Sequence, residues 1–258
     1  MNRSDLSFLE SIFQKPLDEI DASVLVVNQS KRHKIQSDFS NITVINDSKY
    51  GLSRSRNIAL KNAIAKYVWI LDDDVVILKD AMEIILKAVG KNPSYAAWTF
   101  KIITPDSIAK RNYASNSFSY RPKDLQRGPS SIEIVLDREQ LLRENIWFNE
   151  HFGLGTQFPM GEEGILFKSL LQNGKKAIFI PEYIVEHLFE SSGSDPASDK
   201  FIYVKGALAA MEGNLKALYL NYKYTFFLWR KGFVRSLSEL KNKHRIFKRG
   251  IEDFNRLS

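Results

Sequence analysis

The chain has 258 residues, of which 44% are hydrophobic and 26% are charged, and its net charge is +7. With 17 Phe and 10 Tyr this composition predicts a soluble globular fold and excludes a disordered chain. It contains no cysteine, which excludes disulfides and thiolate metal sites. It also has no run of about 18 apolar residues, so the sequence predicts no membrane-spanning helix.

The first 182 residues alternate between strand-like and helix-like segments. Helices are predicted where apolar residues recur three and four positions apart, and strands where short apolar runs are bounded by polar turns. This alternation predicts an α/β domain with a mixed, mostly parallel sheet. In chain order the segments are a helix at 5–14, strands at 22–28 and 41–47, a helix at 53–64, a strand at 68–71, a helix at 79–93, a strand at 95–103, a loop at 104–130, a strand at 131–137, a helix at 160–176 and a strand at 177–182.

Three aspartates, Asp72, Asp73 and Asp74, follow the strand at 68–71, which we expect to be buried on both faces. Ligands of such sheets bind beyond the carboxyl ends of the strands. Neighbouring carboxylates repel one another, so a compensating positive charge is expected. Mn²⁺ or Mg²⁺ shared with a substrate diphosphate would supply it and needs only one or two carboxylates. The alternative is a solvated acidic turn.

Two segments resemble the family 2 glycosyltransferases. GLSRSRNIALKNAIAKYVWILDDDV, at 51–75, has that family's Gly, Arg-Asn pair, helix and strand ending in Asp-x-Asp. FNEHFGLGTQFPMGEEGILFKSLLQNGKKAIFIPEYIVEH, at 148–187, is similar to the second half of the domain, with a Gly-rich loop, an acidic pair on a helix and a strand leading to a His. The resemblance spans residues 3–193 and implies a GT-A fold and inverting transfer of a sugar from a nucleotide-sugar donor, expected to be UDP-linked.

The resemblance implies a metal site for Mn²⁺ or Mg²⁺ at the donor diphosphate. Asp72 and Asp74 match the metal and donor motif, with Asp74 expected to be the direct ligand, and Asp73 lies with them at the donor. His187 matches a His that completes the metal site in related enzymes. The alternative for His187 is an ordinary histidine satisfied by local hydrogen bonds.

The resemblance also implies catalytic and nucleotide-binding residues. Glu162 and Glu163 match the acidic pair whose second member, here Glu163, is usually the base that takes the proton of the acceptor hydroxyl. Both also suit the first turn of a helix, where the dipole favours negative charge. Arg56 and Asn57 match the Arg-Asn pair near the nucleotide, and Asn28 stands where the family often has an Asp that contacts the base.

One element of the family is absent from the predicted sheet. Family members open with a strand before the first helix, whereas here Asn2 and Arg3 match the end of that motif. Without this strand, two strand edges inside the sheet are left unpaired. A trimmed or misassigned start, a substitute strand and a crippled domain would each explain the gap, and we favour the first.

The C-terminal part of the chain is basic. We predict a GT-A domain at 1–198 and a helical extension at 199–258, and residues 200–258 carry 13 Lys or Arg against 4 Asp or Glu. The aromatic and basic stretch at 221–250 is expected either to lie on an anionic membrane surface or to pack with its basic face in water. Nucleic-acid contact is disfavoured because no nucleic-acid-binding module accompanies the stretch.

The sequence therefore predicts a metal-dependent glycosyltransferase for bacterial surface glycans, acting on a glycan or lipid-linked acceptor. The opening MNRSDLSFLE lacks the apolar centre of a signal peptide, which favours a cytoplasmic location, peripheral at the inner membrane face. One alternative is a non-catalytic nucleotide-sugar or glycan-binding subunit, suggested by the missing strand. A phosphohydrolase with an aspartyl nucleophile is disfavoured. The nucleophile of such enzymes usually sits on the first strand of the domain, whereas here at least two strands precede the aspartates.

Overall fold

The computed structural model describes residues 3–187 and 195–257, apart from the side chains of Gln126 and Arg127. The chain divides into two compact units, Met1–Glu150 with Glu162–Phe189, and His151–Gly161 with Glu190–Ser258. The sequence predicted one division, after residue 198. The stretch His151–Gly161 joins the second unit because Phe152 and Phe158 stack on each other and both pack on Phe254.

The strands of the first unit form two sheets. In the smaller sheet, β1 (Val24–Asn28) and β2 (Ile42–Asn46) pair in parallel. The larger sheet contains β3 (Tyr67–Trp69), β4 (Val76–Ile77), β5 (Ala97–Ile103), β6 (Phe118–Ser119), β7 (Ile134–Asp137) and β8 (Ala177–Glu186). Its order is β3-β7-β5-β8-β4, with β6 beside β8. The neighbours β5 and β8 are parallel, and the other pairs of this sheet are antiparallel.

The predicted mixed α/β architecture is confirmed. The strands β3, β5 and β8 all run in one direction, while β7 lies between β3 and β5 and runs the opposite way. Within residues 3–187, β1 pairs only with β2 and β3 only with β7, which is the break expected where the first strand is missing. The prediction that the strand before the aspartates is buried on both faces was wrong. Tyr67–Trp69 is half-buried because β3 lies at the edge of its sheet.

The helices of the first unit mostly follow the predicted pattern. The helix predicted at 53–64 ends earlier, at Asn62, so Ile64 lies beyond it and is 87% exposed. Helix α4 was not predicted, and it begins where the side chain of Asp137 accepts a hydrogen bond from the backbone N–H of Gln140. The helices are α1 (Phe8–Phe13), α2 (Leu52–Asn62), α3 (Ala81–Lys91), α4 (Arg138–Arg143) and α5 (Glu162–Gln172).

Strand β8 is longer than predicted and carries the chain to the candidate site. Its pairing with β5 shifts register between the partners Phe179 and Tyr183, and Pro181, which cannot donate a backbone hydrogen bond, lies in this irregular stretch. Beyond it the strand continues to Glu186, and the backbone N–H of His187 donates to the carbonyl of Ile103. This extension fixes His187 at the end of the central strands.

Alternating side chains of the central strands fill two apolar clusters. Trp98, Phe100 and Ile102 on β5 are fully buried in one cluster, while Ile134 and Leu136 on β7 are buried in the other. This two-residue period is that of a sheet covered on both faces. Trp98 is the largest of these fully buried side chains.

The second unit is helical, as predicted for the tail. It contains α6 (Asp199–Ala210), α7 (Asn214–Arg230) and α8 (Leu237–Asn255). The side chains of Ser198 and Ser236 cap α6 and α8 by accepting hydrogen bonds from the backbone N–H groups of Phe201 and Glu239. None of the helices in the described part of the chain has both the length and the apolar composition needed to cross a membrane.

Helices α6 and α8 approach each other closely at two glycines. A Cβ atom added at Gly206 would lie 2.0 Å from the carbonyl oxygen of Phe247, and one added at Gly250 would lie 2.0 Å from the carbonyl oxygen of Tyr203. Both obstacles are backbone atoms, so no rotamer change makes room. The two helices therefore have to separate if either glycine gains a side chain.

We expect Gly206→Ala and Gly250→Ala each to lower the free energy of unfolding by about 1–3 kcal/mol, the range of overpacked cores. Gly90→Ala on α3 is the matched control, since no atom lies within 4 Å of its added Cβ and alanine favours a helix by up to about 1 kcal/mol. Urea unfolding followed by circular dichroism measures all three variants. Stabilisation by Gly206→Ala similar to that by Gly90→Ala would refute the close helix contact.

Candidate active site

The three aspartates follow β3, and each has a different partner. Asp73 Oδ2 lies 2.6 Å from Nε of Arg3. Asp74 Oδ1 lies 3.3 Å from Nε2 of His187. Asp72 accepts a hydrogen bond from the hydroxyl of Ser131 at 3.4 Å. The protein itself thus supplies positive or polar partners to all three carboxylates.

The pKa of Asp72 reflects its position among these charges. Burial is the main cause of its raised pKa, and Asp74 and Asp73 raise it further by repulsion. The positive charge of Arg56 opposes this rise, with a smaller contribution from His187. Of these two basic groups, Arg56 therefore has the larger electrostatic effect on Asp72.

Both ring nitrogens of His187 have partners. Nδ1 lies 3.4 Å from Nζ of Lys110, and Nε2 faces Asp74. The pKa of Lys110 lies below its usual value because of burial, and the negative charges of Glu133, Asp72 and Asp74 partly oppose this drop. Lys110 is thus a second cation beside the aspartates.

The residues predicted to bind a metal are only partly assembled. Asp74 and His187 are 3.3 Å apart, which suits two adjacent ligands of one ion whose bonds are about 2.1 Å long. Carboxylate and imidazole are ligands that Mn²⁺ accepts. Within the described residues, however, no group of three His, Cys, Asp or Glu side chains is arranged to hold an ion. The donor set fits a divalent ion that takes its remaining ligands from the substrate.

The acidic pair lies at the start of α5 and shares one cation. Nη1 of Arg56 on α2 lies 3.1 Å from Oε1 of Glu162 and 3.1 Å from Oε1 of Glu163. The guanidinium carbon also lies 5.3 Å from the centre of the Phe148 ring. Arg56 and Glu162 are buried, with side chains 5% and 6% exposed, whereas the Glu163 side chain is 17% exposed. Of the two carboxylates, Glu163 is the more accessible.

The electrostatics of this pair favour a base that titrates near neutral pH. Burial raises the pKa of Glu163 to about 7, repulsion by Glu162 adds to the rise and Arg56 opposes it. Oε2 of Glu162 and Nε of Arg56 are buried without a hydrogen-bond partner in the part of the chain that the structure describes. Buried polar atoms in this state are suited to bind a ligand or an ordered water.

Two residues predicted at the nucleotide use their side chains inside the protein. The amide of Asn57 exchanges hydrogen bonds with the backbone of Phe148, donating at 2.9 Å and accepting at 2.9 Å. The amide of Asn28, at the end of β1, donates to the carbonyl of His33 and to Oδ1 of Asn46 and accepts from the backbone N–H of Arg3. The structure therefore brings Asp72, Asp74, His187, Arg56, Glu162 and Glu163 into one charged network, and Asn28, Asn57 and Asp73 have other partners.

Sequence reasoning missed a second charged cluster beside Lys110. Glu133 is buried and accepts hydrogen bonds from the guanidinium of Arg111, from the Tyr113 hydroxyl at 2.6 Å and from the backbone N–H of Ser130 at 3.0 Å. Burial raises the pKa of Glu133 and of Tyr113. The acid inside the apolar segment SIEIVLD was the available signal, because such an acid needs a buried partner.

Comparison with known proteins identifies the family. A family model described as Glycosyl transferase family 2 matches residues 7–148, which is more than half of the chain. The chain belongs to glycosyl transferase family 2. This confirms the predicted family and, with it, the class of enzyme, a transferase. The match ends before Glu162, so the roles of the acidic pair and of His187 stay predictions.

Two relatives of this family 2 member are uncharacterized glycosyltransferases of Rickettsia felis and Rickettsia conorii, each 31% identical over 103 residues. The matched segment covers 38% of this chain and 17% of each relative.

Solved structures of S. aureus TarS share the fold. The superposition on TarS 1–349 covers 95% of this chain and 68% of the TarS chain, with a TM-score of 0.52 and 16% identity. The TarS complex with UDP-GlcNAc gives a TM-score of 0.54 at 15% identity and covers 91% of this chain and 74% of its own. At these identities the likeness concerns the fold alone, and it confirms the GT-A prediction.

Proposed function

We propose that this protein transfers a sugar from a UDP-linked donor to a hydroxyl group of a glycan or lipid-linked acceptor, with inversion at the anomeric carbon. The observation that carries the proposal is the position of Arg56, which binds Glu162 and Glu163 and acts electrostatically on Asp72. One cation thus acts both on the acidic pair and on Asp72. Such a connection suits a site where a base and a diphosphate-binding group work on the same substrate.

Glu163 is the proposed general base. As the acceptor oxygen bonds to the anomeric carbon, its proton passes to the Glu163 carboxylate while the bond from the anomeric carbon to the donor diphosphate breaks. The greater exposure of Glu163 supports this role, since the base has to meet an acceptor that enters from solvent. Glu162, held by Arg56 in the buried part of the pair, positions the guanidinium and through it Glu163.

Asp74 and His187, with Asp72 beside them, are the residues proposed to hold Mn²⁺ or Mg²⁺. A bound divalent ion stabilises the negative charge that develops on a leaving diphosphate. Lys110 is close enough to His187 to place its ammonium beside the same phosphates. TarS has been crystallised with UDP and with UDP-GlcNAc, which supports uridine nucleotides as the first donors to test.

A thermal-shift experiment tests the donor and metal together. We expect a UDP-sugar at about 100 times its Kd to stabilise the protein by about 2.7 kcal/mol, which raises Tm by roughly 5–10 °C, and only when Mn²⁺ is present. His187→Ala and Asp74→Asn should remove the part of the shift that depends on the metal. Equal shifts with Mn²⁺ and with a chelator would exclude the proposed metal role.

The gap between β1 and β3 favours a second candidate, a non-catalytic subunit that binds nucleotide sugars or glycans. A binding subunit would give the same thermal shift but neither sugar transfer nor slow donor hydrolysis. Donor hydrolysis that is lost in Glu163→Gln supports the enzyme and rules out this candidate.

We further propose that the acceptor belongs to bacterial surface-glycan assembly and that the protein works at the cytoplasmic face of the membrane, touching it through the basic C-terminal extension. The surplus of Lys and Arg at residues 200–258 supports the contact with an anionic surface.

A further inference from the structure

Helix α7 carries a stripe of exposed apolar side chains along one face. Each member has another member three or four residues away along the helix, so all of them lie along one side. Phe226 and Trp229 are 56% and 55% exposed, and their ring centres are 5.8 Å apart. The stripe consists of Leu215, Leu218, Tyr219, Tyr222, Phe226 and Trp229.

The opposite face of α7 is anchored, so the stripe cannot turn inward without breaking the unit. Ala217 and Leu228 are fully buried in the helical core. The buried Asn221 donates a hydrogen bond from its amide to the backbone carbonyl of His244 on α8 at 3.2 Å. The amphipathic division of α7 therefore leaves large apolar groups in water, which is costly unless something covers them.

Cations run beside the stripe. Lys216, Lys223 and Arg230 are exposed and seven residues apart, which places them two turns apart along one side of the helix. Lys216 also pairs with Glu212. Between residues 214 and 238 the chain has 5 Lys or Arg and no Asp or Glu.

We propose that this face of α7 binds the surface of an anionic phospholipid bilayer. The helix would lie in the plane of the surface, with the rings of Phe226 and Trp229 in the boundary between headgroups and acyl chains. Lys223 and Arg230 would extend along the apolar layer and place their charges on the lipid phosphates. The purpose of this contact, which is to bring the site to a lipid-linked acceptor, rests on the proposed function. The contact itself does not.

The charge pattern favours a bilayer over a second copy of this chain. Two copies joined through their stripes would bring their rows of cations together without an acidic partner between residues 214 and 238. An anionic lipid surface supplies negative charge along the whole helix, so both the apolar and the charged part of this face are satisfied at once.

The test uses the full chain and vesicles, without donor or metal, so its outcome is independent of catalysis. We expect co-sedimentation with phosphatidylcholine vesicles that contain about a third phosphatidylglycerol, and at least tenfold weaker binding to vesicles of phosphatidylcholine alone. The double variant Phe226→Ser with Trp229→Ser and the double variant Lys223→Ser with Arg230→Ser should each bind the anionic vesicles at least tenfold more weakly. Brominated acyl chains should quench wild-type fluorescence more than that of Trp229→Phe.

The matched control is Met82→Ser with Leu86→Ser, which removes two exposed apolar side chains from α3 and should bind like the wild type. Thermal unfolding confirms that every variant is folded. No binding of the wild type to anionic vesicles, or equal binding by the stripe variants, overturns the proposal. Dimers in solution that dissociate on Phe226→Ser with Trp229→Ser would overturn it too, because they would assign this face to a second copy.

Discussion

Replacing Glu163 with Gln is expected to lower kcat for sugar transfer by about 100- to 10,000-fold, the usual contribution of a positioned general base. The amide keeps the shape of the side chain and its contact with Arg56 but cannot accept the proton of the acceptor hydroxyl. KM for the donor should change little, since the proposed donor site is at the aspartates. Initial rates of UDP release with and without acceptor measure this effect.

The pH profile gives an independent readout of Glu163. Because its pKa is raised to about 7, the free enzyme holds the carboxyl protonated below that pH, and kcat/KM should rise as the pH passes through about 7 and then level off. The contribution of this carboxyl to folding stability changes with pH in the opposite direction. A carboxyl whose folded pKa lies above its ordinary 4.5 contributes stability that is present below about pH 4.5 and lost as the pH rises through about 7. Glu163→Gln should remove both dependences.

Glu182→Gln is the matched control for this substitution. Glu182 lies on β8 and is exposed, so the same chemical change should leave kcat, the pH profile and Tm unchanged. A Glu163→Gln protein that retains more than about a tenth of the wild-type kcat would show that another group removes the proton.

Arg56→Met is expected to lower the free energy of unfolding by about 3–5 kcal/mol near pH 8, the cost of removing one partner from a buried ion pair. Methionine fills much of the space beside Phe148 but leaves Glu162 and Glu163 without their shared cation. Urea unfolding at a series of pH values measures the loss. Sugar transfer should fall as well, because Glu163 loses the group that positions it.

The sign of the pH effect separates lost charge pairing from lost packing. Without Arg56 the pKa of Glu163 rises further, so the folded chain binds protons more tightly than the unfolded chain and stability falls more steeply with rising pH. The deficit of Arg56→Met should therefore shrink near pH 5, where protonation neutralises the carboxyls. Adding Glu162→Gln to Arg56→Met should recover part of the stability, since one uncompensated charge is removed.

The control is Arg54→Met, two residues earlier on α2. Arg54 pairs with Asp47 at 2.7 Å, and its side chain is 33% exposed, so the same substitution should cost only about 1 kcal/mol. If Arg56→Met lost no more free energy of unfolding than Arg54→Met, or lost the same amount at every pH, charge pairing by Arg56 would not stabilise the fold.

The acidic pair also illustrates how far sequence analysis reached. The resemblance pointed to Glu162 and Glu163 and to Arg56 separately, and assigned Arg56 to the nucleotide. The structure places the guanidinium between the two glutamates, 106 and 107 residues further along the chain. Local patterns carry no information on such a contact, because it depends on how α2 and α5 pack.

The sequence by itself determined the alternation of strands and helices, the family and the position of the aspartates at the end of a strand, because hydrophobic period and motif spacing are local properties of the chain. It also located the basic charge in the tail. Only the tertiary structure decided that Ile64 is exposed, that Lys110 and Glu133 join the site, and which face of α7 remains in water. Burial and ion pairing depend on neighbours far away in sequence, and the free energy of a charge or an apolar ring is set by those neighbours rather than by its own segment.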